Sequence, residues 1–256
     1  VDGEVLLGGV VGERIRLSEL EHSITTLQQQ GMELKSGIDR HESRIQLNEE
    51  RLQEFASQNS KALADIARYP DGNGFELKQA IVSAFGVAMP QIALGNGSND
   101  VLDMVARAFL APGLEAIYSQ HAFAVYPIAT QTIGAKGVEV PAKNFGHDLD
   151  AMLKAVTAQT RMVFIANPNN PTGTFASGSE LERLLASVPE NVAIVLDEAY
   201  TEYLPDSKRY DSLSWVKKHR NLIVTRTFSK VYGLAGLRVG FAVCDPGVAD
   251  LLNRVR

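Results

Sequence analysis

Seven short runs rich in branched and aromatic residues, separated by stretches of helical spacing, constrain this chain more than any other feature. They read "QIALG", "EAIYSQ", "GVEVPA", "RMVFIANP", "VAIVLDEA", "NLIVTRT" and "LRVGFAVC", and lie between residues 91 and 244. Helical patterns fall between them at residues 100–110, 148–156 and 179–185. Strand and helix in alternation predict a three-layer α/β sandwich, a mostly parallel seven-stranded sheet covered on both faces. Ligands of such sheets sit beyond the carboxyl ends of the strands. At 256 residues and 45% hydrophobic, the chain can bury the core this requires.

The first quarter has a different texture. Positions seven apart read Leu17, Ile24, Gly31, Ile38, Ile45, Leu52, Asn59, Ile66, and a second set reads Leu20, Leu27, Leu34, His41, Asn48, Phe55, Ala62. This is an a/d heptad pattern flanked by Glu21, Lys35, Glu42, Glu49 and Arg16, Arg44, Arg51. It predicts a coiled-coil helix roughly 75 Å long, with an amphipathic helix packed on the rest of the chain as the simpler alternative. Residues 13–66 resemble the coiled-coil arms of SMC-type chromosome-segregation proteins. The turn-rich "RYPDGNG" then marks a boundary near residue 67, giving a helical segment 1–66 and an α/β domain 67–256.

Composition narrows the partners. A net charge of −5 gives no basic footprint for nucleic acid, so any anion site must be local. The one cysteine, Cys244, excludes an internal disulfide framework, and the five histidines lack metal-ligand spacing, so no metal is expected. The early apolar run at residues 5–11 is too short to span a membrane and lacks the basic flank of a signal peptide. A reducing cytoplasm is the expected setting. The chain begins without methionine.

Polar residues gather where the β-rich runs end. In "GNGSND" the amides of Gly97, Ser98 and Asn99 either face an anion at a helix N-terminus, or Ser98 or Asn99 is an ordinary N-cap. "NPNNPTG", residues 167–173, brings three asparagine amides into a proline-fixed turn. Asp197 closes an apolar run, with Tyr200 three residues on; a buried carboxylate needs a cation or a donor, so a structural salt bridge competes with a functional role. "TRTFSKVYGLAGLR" adds Ser229, Lys230 and Arg238. A desolvated lysine can attack a carbonyl carbon and an arginine cannot, but a lone lysine is more often a surface group.

Taken together, "RYPDGNG", "GNGSND", "NPNNPTG", "DEAY" and "TFSKVYGLAGLRVG" resemble the fold-type I pyridoxal-phosphate aminotransferases, specifically the histidinol-phosphate aminotransferases, over residues 67–256. The resemblance implies the large domain of that fold, pyridoxal 5'-phosphate as cofactor, and exchange of an amino group between histidinol phosphate and 2-oxoglutarate or glutamate. It implies that Lys230 bonds covalently to the cofactor and moves the proton, that Asp197 pairs with the ring nitrogen, and that Asn170 and Tyr200 hold the ring hydroxyl. Phe123 in "HAFAVY" would stack on the ring. Gly97, Ser98, Asn99, Thr227, Ser229 and Arg238 would surround the phosphate, and Tyr69 would reach the phosphate of a second copy, which implies a homodimer. Where the family has a proline- and glycine-bearing segment closing over substrate, this chain has "IQLNEERLQEF". The family's smaller C-terminal domain is not expected within residues 67–256, so a changed lid and impaired turnover are expected. Two alternatives stand beside the aminotransferase: a related cofactor-dependent enzyme such as a threonine-phosphate decarboxylase, and a coiled-coil interaction protein whose α/β part is catalytically silent.

Overall fold

The computed structural model describes residues 2–66, 69 and 71–256, in two compact units, Val1–Gly72 and Asn73–Arg256. The boundary expected near residue 67 falls on Ala67 and Arg68, which lie outside the described residues, as does Pro70 of the turn. The first unit is one continuous helix, α1 (Asp2–Ile66). Hydroxyls within it bond back to carbonyls four residues earlier, Ser23 to Glu19 and Ser43 to Asp39 at 2.9 Å, so these polar side chains are satisfied without breaking the helix. The heptad residues on it are exposed: Leu27 at 66%, Leu34 at 69%.

The second unit alternates as its sequence requires. In order it holds α2 (Phe75–Phe85), β1 (Ile92–Gly95), α3 (Ser98–Phe109), β2 (Glu115–Ser119), α4 (Val125–Thr132), β3 (Lys136–Val140), α5 (Leu149–Lys154) and β4 (Thr160–Ala166). Then come α6 (Gly178–Ser187), β5 (Ala193–Asp197), α7 (Ser212–Trp215), β6 (Leu222–Thr227), β7 (Gly240–Val243) and α8 (Pro246–Val255). Local chemistry sets several boundaries. Ser177 and Glu180 form a reciprocal capping box at the start of α6, and Asp148 and Asp245 accept backbone N–H bonds at the starts of α5 and α8. Gly86 ends α2 in the left-handed region, at φ 66°. The helical patterns read at residues 100–110, 148–156 and 179–185 fall on α3, α5 and α6.

The seven strands form one sheet in the order β1-β7-β6-β5-β4-β2-β3. β7 runs antiparallel to β1 and β6, and the remaining pairs are parallel. This is the mostly parallel seven-stranded sheet expected, with β7 reversed. β1, β4, β5 and β6 therefore end at one edge, and β7 begins there, with Gly240 paired to both Gly95 and Thr227.

Two apolar layers cover the sheet. Because side chains alternate along a strand, β4 sends Val163 and Ile165 into one layer and Met162, Phe164 and Ala166 into the other, and β5 divides Ile194 and Leu196 from Ala193 and Val195 in the same way. Leu181, Leu184, Trp215 and Phe241 fill the first layer; Val101, Leu102, Tyr126 and Leu252 fill the second. Cys244 is fully buried in the second layer, and burial pushes its thiol up to about 12, which leaves it inert. Among the described residues no helix is long and apolar enough to cross a membrane.

Phe164 is the load on which the second layer closes: it is 0% exposed and its ring stacks on Tyr126 at 4.7 Å. Phe164→Ala is expected to destabilise the second unit by about 3–5 kcal/mol in urea denaturation, the usual cost of emptying so large a buried volume.

Candidate active site

At the edge where β1, β4, β5 and β6 end, one cleft collects residues from five separate loops. Its lining comprises Ser98, Asn99, Phe123, Ala166, Pro168, Asn170, Asp197, Ala199, Tyr200, Thr227, Ser229, Lys230 and Arg238. Of the residues singled out in the sequence, Gly97 and Tyr69 are not in that lining. Gly97 lies directly behind it, and Tyr69 belongs to the first unit and is fully exposed.

The parity of β5 decides what sits at the floor. Asp197 continues the alternation of Ala193 and Val195, so its side chain joins the second layer, and Glu198 turns to the first. Asp197 is 5% exposed, and the donors that reach it are neutral: Tyr126 Oη to Oδ2 at 2.9 Å, Thr225 Oγ1 to Oδ1 at 3.2 Å, and the Ala199 N–H to Oδ1 at 3.3 Å. Burial raises this carboxyl above its ordinary range, and the Tyr126 and Thr225 bonds hold it back. Burial and the neighbouring Asp197 likewise push the Tyr126 phenol well up, so it remains a donor. The structural salt bridge weighed for Asp197 belongs instead to its neighbour. Glu198, at 0% side-chain exposure, takes the Arg226 guanidinium through Nη2 at 2.8 Å and Nε at 3.1 Å. Arg226 also lies 5.2 Å over the Phe85 ring. Two adjacent acids thus separate, one tied to a cation in the core and one held by neutral donors under the cleft.

The wall at β1 is built by close backbone approach. α3 begins at Ser98 with Gly97 as N-cap, at φ 86°, and no side chain caps it. Ser98 and Asn99 are therefore first-turn residues rather than caps. A Cβ on Gly97 would lie 2.5 Å from Arg238 Nη2, and one on Gly240 would collide with the backbone of Gly97 and Ser98. The antiparallel entry into β7 is what brings Arg238 there. It adopts a left-handed backbone, φ 54°, and donates to the carbonyls of Asn96 and Ala235, each at 3.1 Å. Thr227 and Ser229 face the same corner, with the Ser229 N–H donating to Thr227 Oγ1 at 3.2 Å.

The asparagine turn assigns its three amides differently. Asn167 is fully buried; its Oδ1 accepts from the Ala176 N–H at 2.8 Å, and its Nδ2 donates to the Ala176 carbonyl at 2.9 Å and Tyr210 Oη at 2.8 Å. Asn169 donates to Thr172 Oγ1 at 2.8 Å and the His121 carbonyl at 3.1 Å. Both bind the loop to itself and to its neighbours, and Asn170 is the amide that lines the cleft. Tyr200 lines the same cleft, and Lys230 Nζ stands 5.2 Å from its ring centroid. Phe123 meets Tyr126 edge-on at 5.8 Å, which sets its ring beside the floor.

Chemically, the cleft offers an anion corner of backbone amides, hydroxyls and one guanidinium, an aromatic wall, an amide with a phenol, a deep carboxylate and one primary amine. Tyr126 and Thr225 were missed by the sequence reading. Tyr126 lies inside "HAFAVY", but nothing local shows that its phenol serves a carboxylate 71 positions away.

A family model for aminotransferase class I and II matches residues 29–256. A histidinol-phosphate aminotransferase of Nitrosospira multiformis is 59% identical over 197 residues, 77% of this chain and 50% of its own length. One from Pseudomonas aeruginosa is 60% identical over 194 residues, 76% of this chain and 53% of its own. The crystal structure of histidinol-phosphate aminotransferase from Sinorhizobium meliloti in complex with pyridoxal-5'-phosphate superposes with a TM-score of 0.73 at 31% identity, covering 77% of this chain and 54% of that one. The chain spans about half the length of the curated relatives it matches.

Removing the Tyr126 phenol tests the floor. Tyr126→Phe is expected to cost about 1–3 kcal/mol at pH 7.5, because a buried carboxylate loses a donor. The Asp197 pKa is already raised in the folded state, so protonation favours folding below the unfolded value near 4, and that advantage is lost as pH rises through the folded value. The variant raises the folded value further. Its deficit against the parent should therefore narrow as urea denaturation is repeated at successively lower pH; a deficit independent of pH would refute the assignment.

Proposed function

This chain belongs to the aminotransferase class I and II family, and from that premise we propose that it acts as a pyridoxal-phosphate-dependent aminotransferase on histidinol phosphate, with 2-oxoglutarate as amino acceptor. The observation that carries the reading is the convergence of Lys230, Asp197, Asn170, Tyr200 and the anion corner in one cleft. The donor set fits the cofactor: its phosphate needs amides, hydroxyls and a cation without a large side chain at Gly97 or Gly240, its ring nitrogen needs an acid, and its ring hydroxyl needs neutral donors.

When bound, the cofactor supplies an electron sink for the charge left by removing the substrate Cα proton. The protein's residues do the rest. Ser98, Asn99, Thr227, Ser229 and Arg238 bind the phosphate at the start of α3, where the helix dipole adds to the attraction. Asp197 holds a proton on the ring nitrogen; its neutral donors orient it without cancelling its charge, as a close cation would. Asn170 and Tyr200 bind the ring hydroxyl, and Phe123 excludes water from one ring face. Lys230 anchors the cofactor and then accepts and returns the Cα proton, for which a primary amine suits and a guanidinium does not.

In this reading residues 67–256 are the large domain of the enzyme and residues 1–66 a coiled-coil-like helical segment. The enzyme works as a homodimer in which Tyr69 serves the phosphate site of a second copy, and a cytoplasmic setting goes with its substrates. The names of the relatives favour histidinol phosphate over threonine phosphate.

The test is spectroscopic first. Purified chain mixed with pyridoxal phosphate is expected to gain the visible absorption of a lysine-bound cofactor, Lys230→Ala to lack it, and Asp197→Asn to fold normally but bind at least about tenfold more weakly, the loss of one charge-assisted hydrogen bond. No band in the parent would overturn the cofactor reading. A band without conversion of histidinol phosphate and 2-oxoglutarate would overturn the substrate reading for this chain.

A further inference from the structure

We propose that the exposed seam of α1 pairs with the same seam of a second copy of this chain as a parallel, in-register two-stranded coiled coil. The seam runs from Leu17 to Ile66, and its large apolar members stand between 53% exposed at Ile24 and 76% at Ile66. A stripe of that extent is an unfilled interface. The choice of occupant and orientation comes from three features of the helix.

The first is side-chain shape. Isoleucine recurs at the a positions, Ile24, Ile38 and Ile45, and leucine at the d positions, Leu20, Leu27 and Leu34. Branched residues at a with leucine at d favour two parallel strands. Gly31, at an a position, supplies no side chain, so the contact rests on the stretches to either side.

The second is charge. With Leu17 at a, the charged g positions from 16 to 58 are Arg16, Arg44 and Arg51, and the e positions carry Glu21, Glu42 and Glu49 with Lys35. In a parallel pair each g residue faces the e residue five positions on in the other strand. Arg16 then meets Glu21 and Arg44 meets Glu49, twice each by symmetry, and no like charges meet. An antiparallel pair sets g against g and e against e, arginine toward arginine and glutamate toward glutamate. Arg16, Glu21, Arg44 and Glu49 are exposed, and none joins an ion pair among the described residues. Their charges remain available to a partner.

The third is register. His41 and Asn48 occupy successive d positions. In register each faces its own copy, and two Asn48 amides can bond to one another. A slip of one heptad would set Asn48 against Phe55 and leave a buried amide unpaired.

Position-specific bridging of the full chain tests this. Ile24→Cys and Ile45→Cys, each alone, are expected to form disulfide-linked dimers on mild oxidation, and Met32→Cys, off the seam at a b position, is not; the native Cys244 is buried. Glu49→Arg, which sets Arg44 against a new cation, should weaken bridging through Ile24→Cys by about tenfold, from several exposed ion-pair increments, and Arg44→Glu with Glu49→Arg should restore it. An antiparallel coil cannot bridge residue 24 to itself and residue 45 to itself, so bridging at only one of them overturns the orientation. A chain that sediments as a dimer but bridges at neither site pairs elsewhere, which overturns the proposal and leaves the enzymatic reading standing.

Discussion

A carboxylate buried at the end of a central strand is the constraint around which the second unit is arranged. Asp197 loses its hydration on folding, and among the described residues no lysine or arginine forms an ion pair with it, Lys230 attracting it only from a distance. Three neutral donors compensate it instead, and each comes from a different part of the fold: Tyr126 from α4, Thr225 from β6 and Ala199 from the loop after β5. Tyr126 can serve only if α4 packs closely on the sheet, which in turn requires the stack on Phe164. The apolar layer and the polar floor are thus one structure.

The same strand shows how an alternating backbone separates two acids that adjoin in sequence. Asp197 points to the layer beneath the cleft, and Glu198 to the opposite layer, where Arg226 neutralises it. A largely buried ion pair adds little net stability, because desolvation offsets most of the attraction. Here it takes the strong cation for Glu198, on the other side of the sheet from Asp197. Under the proposed function that segregation matters, since a close guanidinium would draw off the charge with which Asp197 holds the ring proton.

Much of the arrangement was legible. The β-rich runs fall on the observed strands, and alternation with helices gave the layered, mostly parallel sheet. Ser98, Lys230 and Arg238 stood out as polar residues following apolar runs, and their roles, with that of Asn170, came from the resemblance of the combined motifs to the aminotransferases. The residues left unrecognised act through distance. Tyr126 reads as one more aromatic in an apolar helix, and the partition of Asn167 and Asn169 to the loop and Asn170 to the cleft depends on which amides the turn itself consumes. The antiparallel placement of β7 was also hidden, because strand direction leaves no mark on hydrophobic periodicity.

The sequence by itself determined the period of each segment, and so the long heptad helix, the strands and the layers, since a side chain's spacing along the backbone fixes which face it occupies. It also supplied the chemical types at the strand ends. Only the tertiary structure decided which of those groups meet. Reversal of β7 places Arg238 against Gly97, strand parity sends Asp197 and Glu198 to opposite sides, and α4 delivers a phenol to a carboxylate far away in the chain. Those meetings follow from sheet order and packing, which are properties of the whole fold and of no single stretch within it.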